Sequence, residues 1–253
     1  MSSTHYSRII LHVPHSGTQV PESFVRHLLT MPSEHVDGVF EIMTFSRPLI
    51  DYYTDELFVP KEPSSRICSL VFPYNRVLCD VERLPHDPLE TKGYGILYNF
   101  SSSHQYLREC CQVTSLKMYM EHYLALQRLI TDEYDDTQNL LLMDCHSFSA
   151  RPNALCENPG DVDICIGFNS DWSCPDEDTI QSVQQHFEEW GYRVGINYPF
   201  SNSKTVDIPI PYHSFMVEVS KRLYMNEDTL EHSEGFERLK SAIQSLYTKL
   251  LVE

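Results

Sequence analysis

The sequence has no long apolar run and no block of basic residues. No stretch approaches the roughly 18 consecutive apolar residues of a membrane-spanning helix, so we expect no transmembrane segment. Lys and Arg number 19 against 36 Asp and Glu, which gives a formal net charge of −17. Without a basic patch, nucleic acid and anionic membranes are poor partners. A small anionic substrate is compatible with this charge, because a local arginine pocket can oppose it.

The chain also lacks the motifs of several enzyme classes. It contains no G-x-S-x-G nucleophile motif, and Gly93-x-Gly95 is not followed by the glycine that completes a dinucleotide fingerprint. The segment 201–204 fits S-x-x-K by letter, but its companion motifs are absent. Cys145 and His146 resemble a thiol–imidazole pair, yet neighbouring residues on a strand point to opposite faces. These absences disfavour serine, cysteine and dinucleotide-dependent chemistry.

The eight cysteines include no C-x-x-C pair. Cys156, Cys165 and Cys174 are evenly spaced, but zinc-binding cysteines usually come in close pairs, so we interpret them as scattered buried thiols. The first residues lack the basic region, apolar core and cleavage site of a secretory signal. We therefore expect a cytoplasmic protein whose cysteines are mostly reduced.

Strand-like and helix-like stretches alternate along the 253 residues, which predicts an α/β fold. We expect one domain, residues 1–253, with a mixed, mostly parallel sheet flanked by helices in three layers. The predicted strands are 8–13, 56–59, 67–71, 77–79, a central strand 140–143, 163–168, 192–196 and 215–219. Asp144, His146 and Ser147 are expected directly after the central strand, at its carboxyl end. The predicted helices are 21–30, 34–53, 101–135, 176–190 and 228–252. In the long third helix, an apolar stripe is interpreted as core: Leu107, Val113, Leu116, Met120, Tyr123, Leu124 and Leu126.

Two histidines and one glutamate accompany apolar, strand-like runs. His15 follows RIILHVP, His146 follows LLLMDC, and Glu218 lies inside SFMVEV. Because open α/β sheets bind ligands at the carboxyl ends of their strands, we expect these side chains at one edge of the sheet. Two imidazoles, a carboxylate and water form a catalytic zinc site. Taken singly, each histidine suits a structural role equally well.

Glu218 and two arginines each have a structural and a functional interpretation. An unpaired carboxylate inside an apolar strand is costly, so Glu218 either forms an ion pair with a nearby cation or acts as a general base. Arg76 and Arg83 flank the predicted strand 77–79. Each either binds a substrate carboxylate bidentately or is a solvated surface residue.

At VPHSGT, DCHSF and VEVSKRLYM the chain resembles the N-formylglutamate amidohydrolase family. The likeness extends more weakly through RVLCDVER, KGYG and INYPF, and so spans most of the chain. The family resembles zinc carboxypeptidases and aspartoacylases in fold. The resemblance implies a mixed sheet with one zinc at the carboxyl ends of the strands. It also implies hydrolysis of an amide on an acidic amino acid, here N-formylglutamate to formate and glutamate.

The resemblance assigns roles residue by residue. It implies that His15 and His146 bind zinc, with a third ligand from the segment after PHSGT. Asp37 matches best there, and Glu41, one helical turn later, is the reserve. Glu218 looks like the general base. The remaining implied roles are catalytic for Arg76 and substrate-binding for Arg83, Ser16, Lys221, Arg222 and Tyr224.

Three segments differ from the family pattern. The family has D-x-NR where this chain has Asp80 to Arg83, and E-[VI]-NR where it has Glu218 to Lys221. A glycine pair common after YPF is replaced by residues 201–203. These changes touch the substrate side more than the metal site. The alternatives are therefore a hydrolase of another N-acyl amino acid or small peptide, and a non-catalytic binding domain.

Overall fold

The computed structural model describes residues 5–30, 46–99, 102–135, 139–153 and 155–251. The chain forms two compact units. The sheet unit comprises Met1–Val13, Tyr53–Leu70 and Gln127–Glu253, and the second unit comprises Pro14–Tyr52 and Val71–Leu126. None of the described helices combines the length and hydropathy that crossing a bilayer requires.

Six strands and five α-helices make up the regular structure of the described residues. In chain order the elements are β1 (Arg8–Val13), α1 (Glu22–Leu29), α2 (Thr54–Phe58), β2 (Ile67–Val71), α3 (Ser102–Glu133), β3 (Leu140–Phe148), β4 (Ile164–Gly167), α4 (Glu177–Glu189), β5 (Val194–Ile196), β6 (His213–Ser220) and α5 (Phe236–Leu250). Short 3-10 helices lie at Pro88–Lys92 and Lys221–Leu223.

The strands form one sheet in the order β2-β1-β3-β6-β4-β5. The β1–β3, β3–β6 and β4–β5 pairs are parallel, and β4 runs antiparallel to β6. The predicted α/β class with a mixed, mostly parallel sheet is therefore confirmed. α2 packs against β1 and β3, α4 packs against β4 and β5, and α5 packs on α2 and α4.

Alternation along the strands separates a polar from an apolar face of this sheet. In register, His12 lies opposite Asp144, and His146 lies opposite Glu218. Partners in register share a face, and residues two apart on one strand do as well. The four side chains therefore occupy the same face, whereas Cys145 points to the other.

Two predicted strands are absent. Residues 56–59 belong mostly to helix α2, whose first turn carries the acidic residues that helix N-termini favour. Residues 77–79 form a turn, because the Asn75 side chain accepts the Val77 N–H at 3.1 Å. The Leu78 N–H also donates to the Asn75 carbonyl at 3.0 Å. Most of the predicted helix 34–53 lies outside the described residues.

The long helix α3 buries a different face from the predicted one. Val113 is 83% exposed, and Leu116, Met120 and Leu124 are exposed as well. Leu126 is buried as predicted. The buried positions within 111–126 include both polar and apolar side chains: Cys111, Ser115, Met118, Tyr119, His122 and Leu126. Because this buried face mixes polar and apolar residues, an apolar stripe alone identified the wrong side of the helix.

Candidate active site

In the sheet unit, Asp144 is the centre of a buried cluster. It lies inside β3, all nine residues of which are buried, and not after the strand as predicted. His12 Nδ1 lies 2.8 Å from Asp144 Oδ1, and His146 Nε2 lies 3.1 Å from the same oxygen. The backbone N–H of Lys204 donates to Asp144 Oδ2 at 3.0 Å. One carboxylate oxygen thus lies within 3.1 Å of two imidazole nitrogens.

The charges in this cluster follow from burial and proximity. Burial opposes ionisation of Asp144, but the His146 and His12 imidazoles hold the pKa of that carboxyl well below its ordinary value. Burial lowers the pKa of His12, which keeps its ring neutral at neutral pH. Because an ionised carboxylate only accepts hydrogen bonds, the His12 proton is on Nδ1.

Glu218 lies on the same sheet face as His146. It is opposite His146 across the β3–β6 pair and opposite Cys165 across the β6–β4 pair. Only 8% of Glu218 is exposed. Cys165 is a buried thiol whose pKa is raised by burial to about 12, as expected for a structural cysteine. The strand therefore presents a buried carboxylate beside one of the two predicted zinc-binding histidines.

In the second unit, His15 lies between two carboxylates. Its Nε2 is 2.8 Å from Asp80 Oδ1, and its Nδ1 is 3.6 Å from Asp51 Oδ2. The Asp51 N–H also donates to the His15 carbonyl at 2.9 Å. All three residues are buried. His15 and Asp51 are of the residue types that hold metal ions, and both offer a ligand atom here.

Asp80 collects several donors in this unit. It accepts from Arg76 Nη2 at 2.8 Å and from the Tyr98 hydroxyl at 2.7 Å, and the Glu82 N–H donates to Oδ1 at 3.1 Å. Burial opposes its charge, yet Arg76 and His15 hold the pKa of Asp80 well below its ordinary value. Burial and the Arg76 charge lower the pKa of His15.

The two predicted arginines differ in availability. Arg76 is 5% exposed, and its Nη1 donates to the Leu49 carbonyl at 3.0 Å, so the solvated interpretation is wrong for this residue. Arg83 keeps 17% of its side chain exposed, with Nε 3.6 Å from Asp80 and Nη1 3.9 Å from Asp87. Arg83 is therefore better placed to bind an incoming anion.

The other predicted site residues occupy varied environments. Ser16 is half-buried and Lys221 is buried. Arg222 Nη2 donates to Asp163 Oδ1 at 2.8 Å. Tyr224 is fully buried and packs edge-to-face on Phe236, with ring centroids 6.4 Å apart. Their substrate-binding roles stay predictions. The predicted third zinc ligand, Asp37, and its reserve, Glu41, lie outside the described residues.

Sequence reasoning placed Asp144 at the end of the central strand, but it assigned no role to the carboxylates that lie next to the histidines. Asp144 and His12 had a local signal, because each is a polar residue inside an otherwise apolar, strand-like run. Asp51 and Asp80 had none, since their contacts with His15 join distant parts of the chain. Only the folded structure shows that these side chains meet.

Fold and side chains together define an α/β protein with buried imidazole–carboxylate clusters, the groups used in hydrolytic metal and acid–base chemistry. A family model described as N-formylglutamate amidohydrolase matches residues 7–225. The chain belongs to this family, as its sequence motifs indicated. The family is one of amidohydrolases, enzymes that hydrolyse amide bonds.

Solved structures share the fold. The N-formylglutamate amidohydrolase from Ralstonia eutropha JMP134 superposes with a TM-score of 0.70 at 19% identity, covering 97% of this chain and 93% of that one. The gene product Atu2144 from Agrobacterium tumefaciens gives a TM-score of 0.56 at 13% identity, covering 97% and 89%. At such identities the likeness concerns the fold. A search of curated proteins found no match.

Proposed function

We propose that this protein is a zinc-dependent amidohydrolase that removes the N-acyl group of a small acidic amino acid. N-formylglutamate is the first candidate substrate, because the chain belongs to the N-formylglutamate amidohydrolase family. One observation carries the proposal. In both predicted zinc-binding histidines, Nε2 lies close to a buried carboxylate, Asp80 for His15 and Asp144 for His146.

Such a carboxylate fixes the tautomer of a metal-binding histidine. With its proton on Nε2, an imidazole presents the Nδ1 lone pair as the ligand atom. His15 shows this arrangement with a further carboxylate, Asp51, next to Nδ1. We therefore propose Asp51 as a carboxylate ligand of the zinc that His15 binds, in competition with the predicted ligand Asp37.

A bound zinc lowers the pKa of water and polarises a carbonyl. The residues of the chain supply the remaining steps. Glu218 takes the proton of the attacking water and passes it to the leaving amine, because it is a carboxylate held on the same face as His146. Arg83 binds the substrate carboxylate through its guanidinium fork. Arg76 is held in its ion pair with Asp80 and stabilises the position of that carboxylate.

The substituted segments bear on which acyl amino acid is cleaved. Ser220 and Lys221 stand where the family has Asn and Arg, and both are buried in this structure. A lysine presents a point charge and an arginine a planar fork, so the exchange alters how an anion is held. We therefore propose testing N-formyl, N-acetyl and short peptide derivatives of glutamate and aspartate together.

The deciding experiment compares metal content and turnover in matched variants. Mass spectrometry should find about one zinc per wild-type chain, with loss of zinc in His15→Ala and His146→Ala. Asp51→Asn should lose zinc and Asp37→Asn should keep it if Asp51 is the ligand. Glu218→Gln should retain zinc and lose turnover. If the wild-type protein took up no zinc after incubation and dialysis, the proposed metal-dependent function would be wrong.

A further inference from the structure

His12 is a buried imidazole that the mechanism above does not use. It lies in β1 and is fully buried, as are Ile9, Ile10, Leu11 and Val13 around it. Burying a polar ring in such a strand costs free energy unless the ring is hydrogen-bonded. Its Nδ1 meets Asp144 Oδ1 at 2.8 Å, which satisfies that requirement. An apolar residue would fill this position at lower cost if packing were its only role.

The contacts of Asp144 show what the imidazole contributes. Lys204 N–H holds Oδ2 at 3.0 Å, and His12 Nδ1 holds Oδ1 at 2.8 Å. Donors on both oxygens fix the plane of the carboxylate before any third group is considered. His146 Nε2 then lies 3.1 Å from the same Oδ1.

We propose that His12 is a positioning residue, which acts through Asp144 to hold the His146 imidazole in the Nε2–H tautomer with Nδ1 available as a ligand. The metal-binding consequence rests on the proposed function, whereas the tautomer does not. Outer partners of metal-binding histidines typically alter metal affinity by about 10–100-fold when they are replaced. His12 is one contact further out, so we expect a loss near the lower end of that range.

Two variants of similar size separate the hydrogen bond from the packing. His12→Asn keeps an amide N–H near the position of Nδ1, whereas His12→Leu fills the space without a donor. In metal-free protein, 15N NMR of the His146 ring should show the Nε2–H tautomer in wild type and His12→Asn, and a mixture of tautomers in His12→Leu. Zinc affinity, from competition with a chelator, should fall about tenfold in His12→Leu and recover in His12→Asn.

The outcomes distinguish this proposal from the function. A His12→Leu protein that is folded and keeps both the wild-type tautomer and the wild-type zinc affinity would reduce His12 to a packing residue. Wild type without zinc affinity would overturn the proposed function, and the NMR comparison would still decide the role of His12. If His12→Leu does not fold, His12→Gln takes its place, because its amide is displaced from the Nδ1 position and the same loss is expected.

Discussion

The Arg76–Asp80 pair allows a demanding test of the second unit. Asp80 is fully buried and Arg76 is 5% exposed, and two guanidinium nitrogens lie within 3.3 Å of Asp80 Oδ2. Asp80→Asn keeps the size of the side chain and removes its charge. The cation of Arg76 then stays buried and loses the carboxylate that accepts its hydrogen bonds. Breaking a buried pair in this way costs about 3–5 kcal/mol of the free energy of unfolding.

Urea unfolding measures this cost, with EDTA present so that the proposed metal does not contribute to the free energy of unfolding. The matched control is the double variant Asp80→Asn with Arg76→Met, which leaves neither charge behind. It should be more stable than Asp80→Asn alone, because replacing both partners of a buried pair by uncharged residues is often nearly neutral. A cost below about 1 kcal/mol for Asp80→Asn, or a double variant less stable than the single one, would refute the buried-charge argument.

Three further predictions concern stability. Burial opposes the charge of Asp163, but the contacts with Arg193 and Arg222 hold the pKa of its carboxyl below the ordinary value. The ionised carboxylate therefore stabilises the fold above about pH 4, and this stabilisation is lost as the pH falls through the folded-state pKa. Asp163→Asn should lower the free energy of unfolding by about 1–2 kcal/mol at pH 7 and by little in strong acid. Urea unfolding across pH measures this change, with the exposed Asp161→Asn as the control. Gly17→Ala should cost about 1–3 kcal/mol in thermal unfolding, because a Cβ there would collide with the Pro73 backbone. In α3, Val113→Ala should change the unfolding free energy by less than about 0.5 kcal/mol and Leu126→Ala should cost about 2–5 kcal/mol, and equal effects would contradict the described burial.

Local periodicity predicted the sheet well where strands are apolar. RIILHV and the runs around His146 and Glu218 became β1, β3 and β6, because a buried strand needs a continuous apolar run. The antiparallel direction of β4 had no local signal, since an apolar run such as DICIGF predicts a strand but not the direction of that strand in the sheet. Direction depends on how the chain returns to the sheet, which no window of the sequence contains.

The candidate site, too, could be predicted only in part from the sequence. His146 and Glu218 were expected together, and their register opposite each other follows from two neighbouring strands. Asp80, by contrast, has no local signal of its own, because its contact with His15 spans 65 positions of the chain. A turn that begins at Asn75 replaces the expected strand. Arg76 and Asp80, four residues apart, form an ion pair there. Hydrophobic periodicity does not detect a turn of this kind, because the turn depends on one polar side chain, that of Asn75.

The antiparallel direction of β4 determines where the link between β3 and β4 runs, and so what a change in the length of that link affects. Because β4 enters the sheet from the end where β3 finishes, the link 149–163 never crosses the sheet. It stays at the end where Glu218 lies near the close of β6. Insertions or deletions before Asp163 can leave the strand pairings intact, since loop length adds little to the cost of closure. A change of length in this link can therefore alter what surrounds the Glu218 carboxylate while the sheet remains the same.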